Sequence, residues 1–407
     1  MRFLIPLVFC VLPVNYNLLA EPAMRPGDRV TFLGGTFVER MQIHGHFEAE
    51  IRSRLDGDIQ FRNLGWAGDN VLGESRAVFG TVEKGMERLL RDMELTDPTV
   101  IVICYGANEA HAGQTGLTRF SENLSSLTTR LKNYEARLIF VAPRPYERLG
   151  IPLPNPASYN AMLSKYSAII RKQAERTNSH FIDLATLEPV VTTEVLQSST
   201  ETGPWILEEH HGLTSNGVHL TSFGYWRLAS SFANALGLTK QQILIAPLTE
   251  SRAVSGLTFE KKNQRITIRG ELTQMSLPPI ENSFGLEGPQ VTFQLGNLEP
   301  NRYQVFAGKE LLGVFNSRDL AKGITIPAPL EVDKVNAFRN AIIQKNMLFF
   351  HRHRPQNETY LFLFRKHEQG NNAIEVPQFD ELVDNYDRKI YELSNNNTFT
   401  ITVSPLK

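Results

Sequence analysis

The sequence predicts an α/β protein, with a mainly parallel sheet over residues 29–239 and a C-terminal β-rich/helical module behind it. Three observations carry this. Short apolar runs alternate with helical periodicity from about residue 29 to 239, as in successive βα units. One run, "TVIVICYG", is continuously apolar, as expected of a strand covered by helices on both faces. After about residue 240 the pattern changes to period-two alternation broken by turn signals, which predicts an antiparallel module.

In chain order, "RVTFL" is the first predicted strand, and Phe37, Met41, Phe47, Ile51 and Leu55 recur at nearly helical spacing behind it. "IQFRNL" is the second strand, followed by a glycine-rich loop and a helix around "VEKGMERLLRDM". "TVIVICYG" is the third, and the helix after it carries Phe120, Leu124, Leu127 and Leu131 along one stripe. "RLIFVAP" and "HFIDL" are the fourth and fifth strands, joined by a helix through "SYNAMLSKYSAIIRKQAERT". The helix "SFGYWRLASSFANALGL" closes a domain spanning residues 24–240. Residues 241–332 then read as the antiparallel module, and 333–407 as a helix and a tail that packs back on the first domain.

A length of 407 residues suggests two or three domains, and 42% hydrophobic with 21% charged residues is ordinary for a globular protein. The formal net charge of -1 excludes a general nucleic-acid binder, whose basic footprint would show in composition. Met1-Arg2 followed by the apolar "FLIPLVFCVLPV" and by "NLLAEPA" predicts a cleaved export signal over residues 1–23. Prolines and asparagines within it leave too little apolar length for stable membrane insertion. The expected location is therefore periplasmic or extracellular. With the leader removed, Cys104 is the only one of the two cysteines left, so neither an internal disulfide nor a cysteine-built zinc cluster is available. No motif calls for a metal or other cofactor, and none speaks to oligomeric state.

Four stretches at predicted strand ends carry chemistry. "GGT" places Thr36 at a strand-to-helix junction, where a hydroxyl is presented outward and a helix N-terminus favours developing negative charge. The same residue suits a plain helix cap. "NLGWAGDN" brings Gly68, whose backbone can approach a ligand and donate its N–H, or simply make a tight turn. "YGANEA" places Asn108 where its side-chain amide can stabilise an oxyanion. "NGVHLTSFGY" offers His219 as a base, with Asn216 three residues earlier able to fold back onto the imidazole.

The order hydroxyl, glycine, asparagine, histidine resembles the SGNH hydrolase family, also called GDSL esterases and lipases, over roughly residues 29–239. The resemblance implies a flavodoxin-like α/β/α three-layer fold. It places the nucleophile at Thr36 within Gly34-Gly35-Thr36, and the oxyanion hole at Thr36, Gly68 and Asn108. The base falls on His219, with Asn216 at the start of the family's "DxxH" stretch. Three positions depart from the family: threonine replaces serine at 36, glycine replaces aspartate at 35, and asparagine replaces the orienting carboxylate at 216. Asn216 is expected to accept from an imidazole N–H through its amide oxygen, unless Glu109, Asp69 or Glu209 approaches the ring instead.

The tail "FFHRHRPQNETYLFLFRKHEQGNN" looks like a segment found with this domain in secreted bacterial proteins of planctomycete type. Its Arg352 and Arg354 are candidates, with Gly35 and Glu109, for contact with an anionic substrate group. Two functions follow: an exported esterase acting on a small-molecule, carbohydrate or lipid ester, or a binding or scaffold protein that keeps the pocket without turnover. His44 and His46, two apart, are expected on different helix faces, which makes joint metal binding improbable.

Overall fold

The computed structural model describes residues 23–187, 213–238, 240, 244–246, 257–272, 275, 277, 290–329, 332–395 and 397–406. The expected leader before Ala23 and Glu209 lie outside them.

Five parallel strands form the first sheet: β1 (Arg29–Gly34), β2 (Gln60–Gly65), β3 (Val100–Cys104), β4 (Arg137–Ala142) and β5 (His180–Asp183), in the order β2-β1-β3-β4-β5. This is the flavodoxin-like order, with its switch point between β1 and β3. Alternate side chains explain the continuous apolar runs. Val100 and Val102 of β3 enter the core on one face, while Ile101 and Ile103 enter the core on the other. The first core is closed by α1 (Thr36–His44), α2 (His46–Arg52) and, after the short α6 (Leu184–Leu187), by α7 (Ser222–Ala235). The second is closed by α3 (Val82–Glu94), α4 (Leu117–Leu131) and α5 (Ala157–Arg176). A three-layer α/β/α domain results.

The helical spacing after Phe37 is not one helix. Gly45, at φ 65°, caps α1 in the left-handed conformation and returns its N–H to Met41 O at 2.9 Å, so the chain restarts as α2. The break changes the expected geometry of two histidines: the His44 and His46 rings stack, with centroids 6.4 Å apart and planes 5° from parallel.

Beyond the domain, β6 (Leu244–Ile245), β7 (Thr258–Lys262), β8 (Arg265–Leu272), β9 (Gln290–Phe293), β10 (Arg302–Ala307), β11 (Glu310–Asn316), α8 (Ser317–Lys322) and β12 (Ile324–Pro327) build the β module. α9 (Val332–His353), α10 (Glu358–Leu361), α11 (Lys366–Gln369) and α12 (Phe379–Ser394) follow, and β13 (Asn397–Pro405) ends the described chain. The larger sheet is antiparallel in the order β11-β10-β13-β8-β7; the smaller, β12-β9-β6, pairs β6 parallel to β9. The tail therefore divides. Its helices pack on the α/β domain, α9 against α1, α2 and β2, with α12 along α9, whereas β13 returns to the middle of the β module.

β2 is an edge strand, and α9 covers it. Lys345, fully buried, donates to Phe61 O at 3.1 Å and to Glu48 Oε1 at 2.5 Å. Arg52 joins Glu48 to Asp387 at 2.9 and 3.1 Å, and Arg62 reaches Asp387 at 2.7 Å. Edge carbonyls and buried charges thus satisfy one another.

Candidate active site

The carboxyl ends of β1 to β4 open into one pocket, where ligands of such sheets bind. β1 ends at Gly34 and the chain turns at Gly35 into α1, making Thr36 the first helical residue. Its N–H has no carbonyl one turn earlier to bond. Its hydroxyl accepts from Gly68 N–H at 3.2 Å, so a proposed oxyanion donor touches the proposed nucleophile. Gly68, in the loop after β2, sits at φ 76°, where a β-carbon would be strained. Asn108, after β3, donates one amide hydrogen to Asp69 O at 2.8 Å and keeps the second. Thr36, Asn108 and His219 all line the pocket, which holds about 890 Å³ of space not filled by protein and is open to solvent.

These loops are braced from behind. Asp69 is buried, and its Oδ2 accepts from Arg76 Nε at 2.7 Å and from the Tyr105 hydroxyl at 2.8 Å. Glu109 spends one oxygen on Val71 N–H and the other on Gly106 N–H, each at 2.9 Å. Burial raises its carboxyl above the usual range despite those two bonds. Neither carboxylate pairs with His219, so the expectation that one of them orients the ring does not hold. Glu109 reaches the pocket wall with its acceptors already committed to backbone.

Arg352 and Arg354 are not in the pocket. Arg352 pairs with Asp380 at 2.8 Å. Arg354 stacks on Trp66 with its guanidinium carbon 3.9 Å from the ring centroid, and it donates to Glu39 Oε2 at 2.6 Å. The same Glu39 oxygen accepts from Ala67 N–H at 2.7 Å, so the tail steadies the loop that carries Gly68. Their expected substrate contact is replaced by these ion pairs, Arg354 with the half-buried Glu39 of α1 and Arg352 with Asp380.

His219 lies in the loop before α7. That loop is hooked to the one after β4 by Glu147, whose N–H donates to Gly217 O at 2.7 Å and whose carboxylate accepts from the Thr214 hydroxyl at 2.5 Å. Burial, and then the nearby Arg40 guanidinium, lower the His219 pKa from its ordinary value, so the ring is neutral at pH 7. No hydrogen bond joins it to Thr36; the only hydrogen-bond partner of the Thr36 hydroxyl among the described residues is Gly68.

Asn216 behaves differently from the sequence expectation. Its Oδ1 accepts from Val218 N–H at 3.1 Å and from His219 N–H at 2.8 Å, and this commitment turns Nδ2 toward His219 Nδ1 at 3.2 Å. An amide nitrogen only donates. Nδ1 must therefore accept, and the proton of the neutral ring sits on Nε2. The asparagine holds the imidazole, but in the tautomer opposite to that of a resting general base.

Two pocket residues went unread in the sequence: Arg40 and Arg144. Arg40 had a visible signal, since it lies four residues after Thr36 and so on the same face of α1. Arg144 follows β4 and is buried at 6% exposure; nothing in its local sequence marks it.

A flavodoxin-like sheet whose strand ends gather a hydroxyl, an imidazole and N–H donors around one pocket defines an SGNH-type α/β domain. Residues 27–227 match the GDSL-like Lipase/Acylhydrolase family, and the chain carries a domain of that family. No curated protein gives a significant sequence match. Among solved structures, a gut microbial diltiazem-metabolizing enzyme is similar with TM-score 0.65 at 14% identity, covering 94% of this chain and 98% of that one. A catalytic mutant of an acetylxylan esterase from Geobacillus stearothermophilus gives TM-score 0.38 at 18% identity, over 53% of this chain and 97% of that one. An α/β hydrolase enzyme from the metagenome of Lake Arreo, Spain, gives 0.38 at 16%, over 54% and 99%. At 14% identity, the first of these is a likeness of fold, and it extends through the β module and the tail helices.

Proposed function

We propose that the protein is an exported carboxylic ester hydrolase of planctomycete type that works through an acyl-enzyme on Thr36, on small-molecule esters or acylated carbohydrates or lipids. For the step to proceed, the ring proton first moves from Nε2 to Nδ1 as that nitrogen gives up the Asn216 amide; Thr36 Oγ1 then attacks the ester carbonyl carbon while His219 Nε2 takes the hydroxyl proton. The oxyanion is held by the N–H groups of Thr36 and Gly68 and by the free amide hydrogen of Asn108. Collapse breaks the carbon–oxygen bond to the alcohol, which leaves with the proton from His219. Water then attacks the acyl-threonine through the same base, releasing the acid and restoring Thr36. The observation that carries this reading is the contact of Gly68 N–H with the Thr36 hydroxyl, on the pocket that His219 and Asn108 also line.

The proposal is tested with purified protein and short-chain p-nitrophenyl esters. Thr36→Ala is expected to remove turnover down to what the oxyanion donors give alone, a loss on the order of a thousandfold. Thr36→Ser, lacking the methyl that crowds the attack, is expected to be faster than wild type. Equal inertness of wild type and Thr36→Ala on a broad ester panel would reject it. Arg354→Ala, by releasing Glu39 and the loop after β2, is expected to lower kcat about tenfold with less change in KM, with partial rescue by Arg354→Lys.

A second reading, a binding or scaffold protein, is favoured by one observation: the Asn216 amide at 3.2 Å from His219 Nδ1 leaves the ring a hydrogen-bond donor toward the pocket.

A further inference from the structure

Arg40 lines the pocket without a countercharge among the described residues. It lies one turn after Thr36 on the same face of α1, half-buried in the pocket wall. Among the described residues it has neither an ion pair nor a hydrogen bond, and its Nε is shut away from solvent without a partner. A guanidinium is a planar fork of five donors suited to a carboxylate or phosphate, and burying it unpaired is costly. Its charge is felt in the site, since it helps to lower the pKa of His219.

Arg144 reaches the same pocket from the loop after β4. Among the described residues the two carboxylates that line the pocket do not pair with Arg40: Asp69 bonds to Arg76 and Tyr105, and Glu109 to the N–H groups of Val71 and Gly106. Arg40 is thus left facing the pocket with no countercharge among the described residues.

We infer that the pocket selects esters bearing a second, anionic group, a carboxylate that pairs with Arg40 in the presence of the Arg144 charge while the ester carbonyl lies at Thr36. The inference rests on the proposed esterase reading and names its substrate class. The carboxylate belongs either to the acyl part or to the alcohol part of the ester. Both leave the reacting carbonyl free, and both supply the anion that Arg40 lacks.

The test separates binding from turnover by using uncleaved amide analogues in titration calorimetry on the full-length protein. For an acyl-side carboxylate, N-phenylsuccinamate is compared with butyranilide; for an alcohol-side carboxylate, 4-acetamidobenzoate is compared with acetanilide. In one of the two pairs the carboxylate ligand is expected to bind at least about tenfold tighter, the scale of a charge-assisted bidentate pair. Arg40→Gln should reduce that preference to about threefold or less. Arg40→Lys, which keeps the charge but not the fork, should fall between, and it decides the matter if Arg40→Gln does not fold. Equal affinities within both pairs, or a preference that Arg40→Gln and Arg40→Lys leave unchanged, would overturn the inference. Because the anilides need no hydrolysis, inert protein in ester assays would reject the esterase reading while leaving this result to stand.

Discussion

Asn216→Asp is expected to raise kcat on p-nitrophenyl acetate by about two to three orders of magnitude, part of the roughly ten-thousandfold that the reverse change costs a serine protease. The present asparagine gives its oxygen to the N–H groups of Val218 and His219 and its nitrogen to His219 Nδ1. An aspartate in the same rotamer keeps the first two bonds, and its second oxygen accepts from Nδ1–H. The proton then moves off Nε2, and the resulting imidazolium gains a countercharge as it forms. The pH profile should move with the rate. His219 is now held below its ordinary pKa by burial and by Arg40; a carboxylate favours the charged ring, so the acid limb of kcat/KM should shift to higher pH. A rise in rate abolished by adding Thr36→Ala would tie the gain to the threonine. No gain, with ligand binding intact, would favour the binding protein.

Asp387→Ala is expected to destabilise the fold by about 3–5 kcal/mol, the cost of leaving buried charges without their partner. Asp387 sits at 4% exposure between Arg52 and Arg62, with the fully buried Lys345 at 4.0 Å. Burial alone would raise its carboxyl, but Lys345, Arg62 and Arg52 outweigh that and hold it below the usual value of 3.8. A depressed carboxyl stabilises the folded state above its unfolded pKa and loses that contribution as pH falls through the folded one. The gap in urea midpoint between wild type and Asp387→Ala should therefore be constant from pH 7 to about 5 and narrow below about 4. An unchanged midpoint at neutral pH would show that the helices of the tail do not depend on this charge cluster.

Most of the fold was legible because burial imposes a local pattern. β3 had to be continuously apolar once both faces were covered, and the glycines after β1 and β2 announced the loops that carry Thr36 and Gly68. Gly45 was as visible as they were, yet its left-handed turn overrides the helical spacing on either side of it. The site was less legible where its chemistry depends on distant partners. The side chain of Asn216 faces the ring with nitrogen because two backbone donors claim its oxygen, which depends on loop conformation rather than on spacing. Arg354 meets the α/β domain at Glu39, a partner 315 residues away in sequence that no local pattern could name. Arg40 and Arg144 matter by what they lack or share in three dimensions, and no local pattern reports that.

The position of β13 bears on how the protein is made. It pairs with β10 on one side and β8 on the other, yet follows α12 in the chain. On a ribosome, β8 (ending at Leu272) and β10 (ending at Ala307) would both emerge well before β13 (starting at Asn397), the strand that joins them. Their inner edges must wait, open, while α9 and α12 dock on a neighbouring domain. That interval is when this molecule is most exposed to pairing with the wrong strand.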